Sequence, residues 1–219
     1  IKFVVPFSAG SATDSVGRIV AQAMSDAWGQ PITIENKAGA NGILGAESVK
    51  AAPADGYTFL VTTSTTQAAN VHLYRKLPYD PVKDFAPIGK IGEVGFILMV
   101  ANDFPAKDMK EFVSYAKAHP GKLAYGHGSS GSLVSAAMLT ELAGLQTVGV
   151  PYKSIPPALT DLLGGQIQFA FADTGNAVSQ MNGGRMRGLG VTTKKRAGKA
   201  PNVPPIGDTV KDYNVSAWF

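Results

Sequence analysis

The sequence predicts an α/β protein of two lobes, each a mostly parallel sheet flanked by helices. Apolar strand segments alternate with helical segments through residue 74 and again from 109 to 192. That alternation is the pattern of a parallel sheet covered by helices. Residues 78–103 break the rhythm with turn chemistry (Pro78, Asp80-Pro81, Pro87, Gly89) and two strand-like pieces with no helix between them, marking a passage into a second lobe. One unit also occurs twice: an apolar strand, a Gly/Ser run, then a helix. The first copy is Phe3-Val4-Val5-Pro6-Phe7 followed by Ser8-Ala9-Gly10-Ser11-Ala12-Thr13-Asp14. The second is Leu123-Ala124-Tyr125 followed by Gly126-His127-Gly128-Ser129-Ser130-Gly131-Ser132. Each copy aims unpaired backbone N–H groups and the positive end of a helix at one point, which suits an anion. Two such points, half a chain apart, fit two lobes gripping one acidic ligand.

The bulk numbers bound the possibilities. A chain of 219 residues can bury a real core. Its 45% hydrophobic and 16% charged content is that of an ordinary globular protein. The longest apolar stretch, residues 96–101, falls far short of a membrane span. Net charge is +4, and the densest basic run, Lys194-Lys195-Arg196 with Lys199, lies among Gly, Ala and Pro, where a solvated loop is expected rather than a nucleic-acid surface. The absence of cysteine excludes disulfides and thiolate metal ligation.

In the first lobe, Val16, Ile19, Val20, Ala23, Met24 and Ala27 form one helical stripe starting near Ser15, with Ser11 or Thr13 as N-cap and Gly29 as stop. A strand over 32–35, a short helix over 42–51, a buried strand over 57–62 and a helix over 67–74 follow. The passage holds strand-like pieces at 88–91 and 96–100. In the second lobe helices are expected over 109–118, 133–143, 156–163 and 176–181. Strands are expected over 123–125, 148–152, 167–172 and 186–192.

Gly126-His127-Gly128-Ser129-Ser130-Gly131 satisfies G-x-G-x-x-G between strand and helix, the dinucleotide fingerprint. The next strand, however, ends Pro151-Tyr152-Lys153, with no carboxylate for a ribose. A Gly-rich turn or a small-anion cradle are the other readings, and the added serine hydroxyls favour the cradle. No serine stands in G-x-S-x-G, and His72, His119 and His127 lie far apart with no orienting carboxylate indicated, so no hydrolase triad is legible. Only His127 falls in a candidate site loop. No His/carboxylate cluster has metal-ligand spacing. Asp173, at the end of an apolar strand, is either a ligand contact or a helix cap, and Asp14 reads as a cap.

Several motifs then coincide. Pro6-Phe7-Ser8-Ala9-Gly10 with Asp14 and Arg18, Gly29-Gln30-Pro31, and Glu35-Asn36-Lys37-Ala38-Gly39-Ala40-Asn41-Gly42 closely resemble the tripartite tricarboxylate transporter substrate-binding proteins, also called Bug receptors. So do Asp55-Gly56-Tyr57-Thr58, Leu77-Pro78-Tyr79-Asp80, Val150-Pro151-Tyr152-Lys153, Asp161-Leu162-Leu163-Gly164-Gly165-Gln166 and Pro201-Asn202-Val203-Pro204. The resemblance runs in order over essentially the whole chain. It implies a Venus-flytrap fold of the type II periplasmic binding-protein kind, closing on a small organic carboxylate. It assigns residues 1–101 to lobe 1, 102–214 to lobe 2 and 215–219 to the start of a crossing back to lobe 1. It also implies that lobe 1 lacks a later return segment and exposes an apolar face.

The ligand contacts implied are Phe7, Ser8, Ala9, Gly10, Ser11 and Ala12, then His127, Gly128, Ser129, Ser130, Gly131 and Ser132, with Thr63, Ser64 and Asp173 as lesser contributors. No metal or cofactor is expected. The function implied is a periplasmic, monomeric receptor, not an enzyme, that passes its carboxylate to the membrane subunits of a tripartite tricarboxylate transporter. An NAD(P)-dependent or acyl-transfer enzyme built on the loop 126–132 is the alternative. Ser11, Ser135 and Ser154 depart from the family pattern, which usually has Gly, His and Gly there. The first two put the ligand's identity in question rather than the fold.

Overall fold

The computed structural model describes all 219 residues, Ile1–Phe219. It divides into two compact units, one of Ile1–Gly92 with Trp218–Phe219, the other of Glu93–Ala217. In the first unit β1 (Lys2–Val5), β2 (Thr33–Asn36) and β3 (Thr58–Leu60) form a sheet in the order β2-β1-β3, parallel throughout. Helices α1 (Ala12–Trp28) and α2 (Ile43–Lys50) connect these strands, and a π-helical turn, Thr65–Ala69, leads into the short α3 (Asn70–Leu73). α1 starts three residues before its apolar stripe because the Ser11 side chain accepts the Asp14 amide as N-cap. It stops at Gly29, whose left-handed backbone (φ 64°) closes the last turn. The core is small: Phe3, Val5, Ala21 and Val61 form one cluster and Ile43, Ala46 and Tyr79 another.

The second unit carries β4 (Glu93–Val94), β5 (Phe96–Ala101), α4 (Met109–Ala118), β6 (Leu123–His127), α5 (Ser130–Leu142), β7 (Thr147–Pro151), α6 (Ile155–Leu163), β8 (Phe169–Asp173), α7 (Thr174–Asn182) and β9 (Met186–Val191). Its main sheet has the order β7-β6-β8-β5-β9. β6 runs parallel to β7 and β8, whereas β5 is antiparallel to both β8 and β9. Alternate residues of β5 serve opposite faces, with Phe96, Leu98 and Val100 in one cluster and Ile97 and Met99 in the other. That two-sided burial explains its unbroken apolar run. Phe112 of α4 meets Phe169 of β8 edge-on at 5.1 Å between ring centroids.

Two expectations are corrected. Residues 93–101 belong to the second unit, not to lobe 1, because β5 hydrogen-bonds to a strand on each side within that sheet. Residues 88–91 form no strand; Ile88 is 82% exposed, and the next strand is β4. β4 pairs with β10 (Ala217–Trp218) in a two-stranded ribbon. Several large apolar side chains stand more than half exposed, and Ile19, Trp28, Tyr57, Val82 and Ile88 are all in the first unit. No helix is long and apolar enough to cross a membrane.

Candidate functional site

In the second unit β7, β6 and β8 are neighbours and parallel, so α6, α5 and α7 all begin at one edge of the sheet. Three helix N-termini therefore share that edge. α5 starts in a capping box: Ser129 Oγ accepts the Ser132 amide, and Ser132 Oγ accepts the Gly128 and Ser129 amides, both at 3.1 Å. The two hydroxyls predicted as ligand donors thus build the loop, and Ser132 is fully buried. Ser130 is buried too, while His127 and Ser129 are partly open. Gly131 occupies the second helical position, where an amide has no partner within the helix.

The glycines of this loop answer to packing. A Cβ on Gly128 would lie 2.1 Å from the Ser154 carbonyl carbon, and one on Gly131 would lie 2.3 Å from the Phe96 ring. Gly126 is likewise closed in by Ile167 and Ala158. G-x-G-x-x-G is accounted for by these three approaches, which removes the motif's support for a dinucleotide site. Asp173 proves to be the N-cap of α7: Oδ1 accepts the Asn176 amide at 3.0 Å and Oδ2 the Asn176 side-chain amide at 2.8 Å. Burial pushes its carboxyl above the ordinary range despite those bonds. Burial also holds His127 below the usual imidazole value, so it is neutral at pH 7.

In the first unit the loop after β1 is organised by Asp14, which is 3% exposed. Its carboxylate accepts the Gly10 amide at 3.0 Å, Asn36 Nδ2 at 2.9 Å and Arg18 Nε at 2.9 Å. Burial opposes the charge, but the bonds from Arg18, Gly10 and Asn36 outweigh it and hold the carboxyl below its usual range. Asn36 also donates to the Phe7 carbonyl at 3.0 Å, so the end of β2 fixes the end of β1. The Ser11 amide donates to the Ser8 carbonyl at 3.1 Å, closing the turn. Phe7 and Ser11 are buried, while Ala9 and Gly10 are exposed and Ser8 and Ala12 lie between. Thr63 and Ser64 follow β3, the neighbour of β1, and Thr63 Oγ1 accepts the Thr65 amide at 3.0 Å.

Thus each predicted loop is gathered at the carboxyl end of its own unit's sheet. The residues missed were Asn36, which stands at a strand end where a side-chain amide meets the next loop, and Ser154, between a strand and a Pro-Pro helix start. No Arg or Lys lies within residues 8–12 or 127–132. No three His, Cys, Asp or Glu side chains gather as a metal site. A concavity of about 540 Å³ lined by Lys194, Asp208, Asp212 and Tyr213 includes none of the predicted residues.

This architecture, two α/β units with helix N-termini along the carboxyl edges of their sheets, is that of the two-lobe type II periplasmic binding proteins. The model of the tripartite tricarboxylate transporter family receptors matches residues 16–219, and the chain belongs to that family. It is 31% identical over 225 residues to protein BugT of Bordetella pertussis, covering 100% of this chain and 68% of that protein. Among solved structures, Rhodopseudomonas palustris Rpa4515 with adipate superposes with a TM-score of 0.97 at 33% identity, covering 100% of this chain and 74% of that one. MatC (Rpa3494) from Rhodopseudomonas palustris with bound malate gives 0.91 at 35% identity, covering 100% and 75%. The chain spans between 64% and 68% of the length of the curated relatives that match it throughout.

Proposed function

We propose that this chain is the binding part of a periplasmic receptor that captures a small organic carboxylate and passes it to the membrane subunits of a tripartite tricarboxylate-type transporter. It acts as a monomer, and it performs no chemistry on its ligand. The observation that carries this is the edge of the second sheet, where three helices begin together and the loop after β6 holds no basic side chain. Such an edge attracts an anion through amides and helix dipoles. The acidic ligands named for Rpa4515 and MatC, adipate and malate, are of the class such a site suits. In the second unit the loop His127–Ser132 offers the ligand's carboxylate its amides, and in the first unit Phe7–Ala12 with Thr63 and Ser64 stand at the carboxyl end of that unit's own sheet.

A thermal-shift panel of adipate, malate, succinate, nicotinate and NAD(P) tests this. A receptor is stabilised by one or more acids, by about 2.7 kcal/mol at a hundred times Kd. Stabilisation by a dinucleotide with none by any acid would overturn the reading.

A further inference from the structure

Of the three helices that begin along the second sheet's edge, two have N-cap side chains in full use. Ser129 accepts the Ser132 amide and Asp173 accepts the Asn176 amide. Ser154, the N-cap of the nine-residue α6, is different. It is 1% exposed, yet its Oγ has no hydrogen-bond partner. The sequence supplies the reason. An N-cap hydroxyl accepts from the second or third helical amide. Here those positions are Pro156 and Pro157, which carry no N–H. The prolines that favour this helix start remove both donors that the serine would ordinarily cap.

Its position is also fixed against the candidate cradle. The Ser154 carbonyl carbon would sit 2.1 Å from a Cβ on Gly128, and the Tyr152 amide donates to the His127 carbonyl at 2.8 Å. The Ser154 backbone is therefore held against Gly128 and cannot shift without displacing the loop. A buried hydroxyl with no internal role is costly, because water was its partner in the unfolded chain.

We propose that Ser154 is a ligand contact: its O–H donates to a carboxylate oxygen of the bound acid. The Ile155 amide beside it is the one N–H among the first three positions of α6. This rests on the receptor reading above. A buried hydroxyl that meets an anion makes a charge-assisted bond of the stronger kind. Removing it relieves the ligand-free protein and weakens the complex, a pair of effects that a purely structural serine would not produce.

The test compares wild type with Ser154→Ala and Ser154→Gly in the full chain. Melting temperature is read without ligand, and Kd for adipate, malate and succinate is read by calorimetry. The expected result is an unchanged or higher ligand-free melting temperature in Ser154→Ala, with Kd raised about tenfold or more. An unchanged Kd in both variants overturns the proposal. So does a clear fall in ligand-free stability, or failure to fold, in both, since the hydroxyl then has an internal partner. If the wild type binds none of the acids, the receptor reading falls first and this contact falls with it.

Discussion

The loops after β1 and after β6 have the same sequence plan but are held in place by opposite means. In the first unit the organiser is a charge: Asp14, paired with the half-exposed Arg18, takes the Gly10 amide and fastens β2 through Asn36. In the second unit the organisers are neutral: Ser129 and Ser132 cap each other, and glycines let the backbone close onto Ser154 and Phe96. A carboxylate already occupies the first loop and takes up one of its amides, whereas no carboxylate caps the start of α5 or α6. Two loops that look alike in sequence therefore differ in how much attraction for an anion they retain.

The comparison breaks most readily at the glycines. Gly128→Ala should cost about 3 kcal/mol or more, since a methyl 2.1 Å from backbone carbon cannot be accommodated by a side-chain adjustment. Gly10→Ala meets nothing within 4 Å, so only its left-handed backbone (φ 78°) is strained, at about 1 kcal/mol. Urea titration of both variants checks this; equal costs would erase the distinction between a steric and a conformational glycine.

Next comes the charge. Asp14→Ala should lose about 2 kcal/mol, because a buried charged acceptor of three donors is removed, while Arg18→Ala at the exposed end should lose under ~1 kcal/mol. The folded-state pKa of Asp14 is lowered, so its contribution is present above the ordinary carboxyl range. That contribution is lost as pH falls through the lowered value. Melting curves of wild type and Asp14→Asn should accordingly converge only in strong acid.

The smallest effect separates the two aspartates. Asp173 is raised by burial, so it binds its proton more tightly folded than unfolded. Its contribution therefore falls as pH rises from about 3.8 through the folded value, the reverse of Asp14. Asp173→Asn keeps a good N-cap and should flatten that slope with a change of about 1 kcal/mol at neutral pH. A melting profile parallel to wild type between pH 4 and 7 would show that Asp173 is not destabilised by burial.

How far the sequence could be read depended on whether local residues decide the structure. α4 was legible to its ends, because Asp108 caps it and its apolar face is regular. α1 and α5 begin three residues earlier than their stripes indicate, since the first turn is polar and its cap, not its burial, defines it. The direction of β5 was not legible: an apolar run buried on both faces reads identically either way along the sheet. The same limit applies to the site. Polar side chains that serve a ligand and polar side chains that serve a helix share one pattern, and only the hydrogen-bond partners of Ser129, Ser132 and Asp173 show that these three cap helices. Likewise G-x-G-x-x-G described a close approach correctly, but the thing approached is Ser154 and Phe96 rather than a pyrophosphate.

The ribbon of β4 and β10 has a consequence for how the chain is put together. The strand by which the polypeptide enters the second unit is hydrogen-bonded to the strand by which it leaves. Glu93–Ala217 is thus one continuous stretch with adjoining ends. Segments of that form can be transplanted or permuted with little loss of loop-closure entropy. The second unit is therefore the portable half of this protein, and its sheet edge would travel with it.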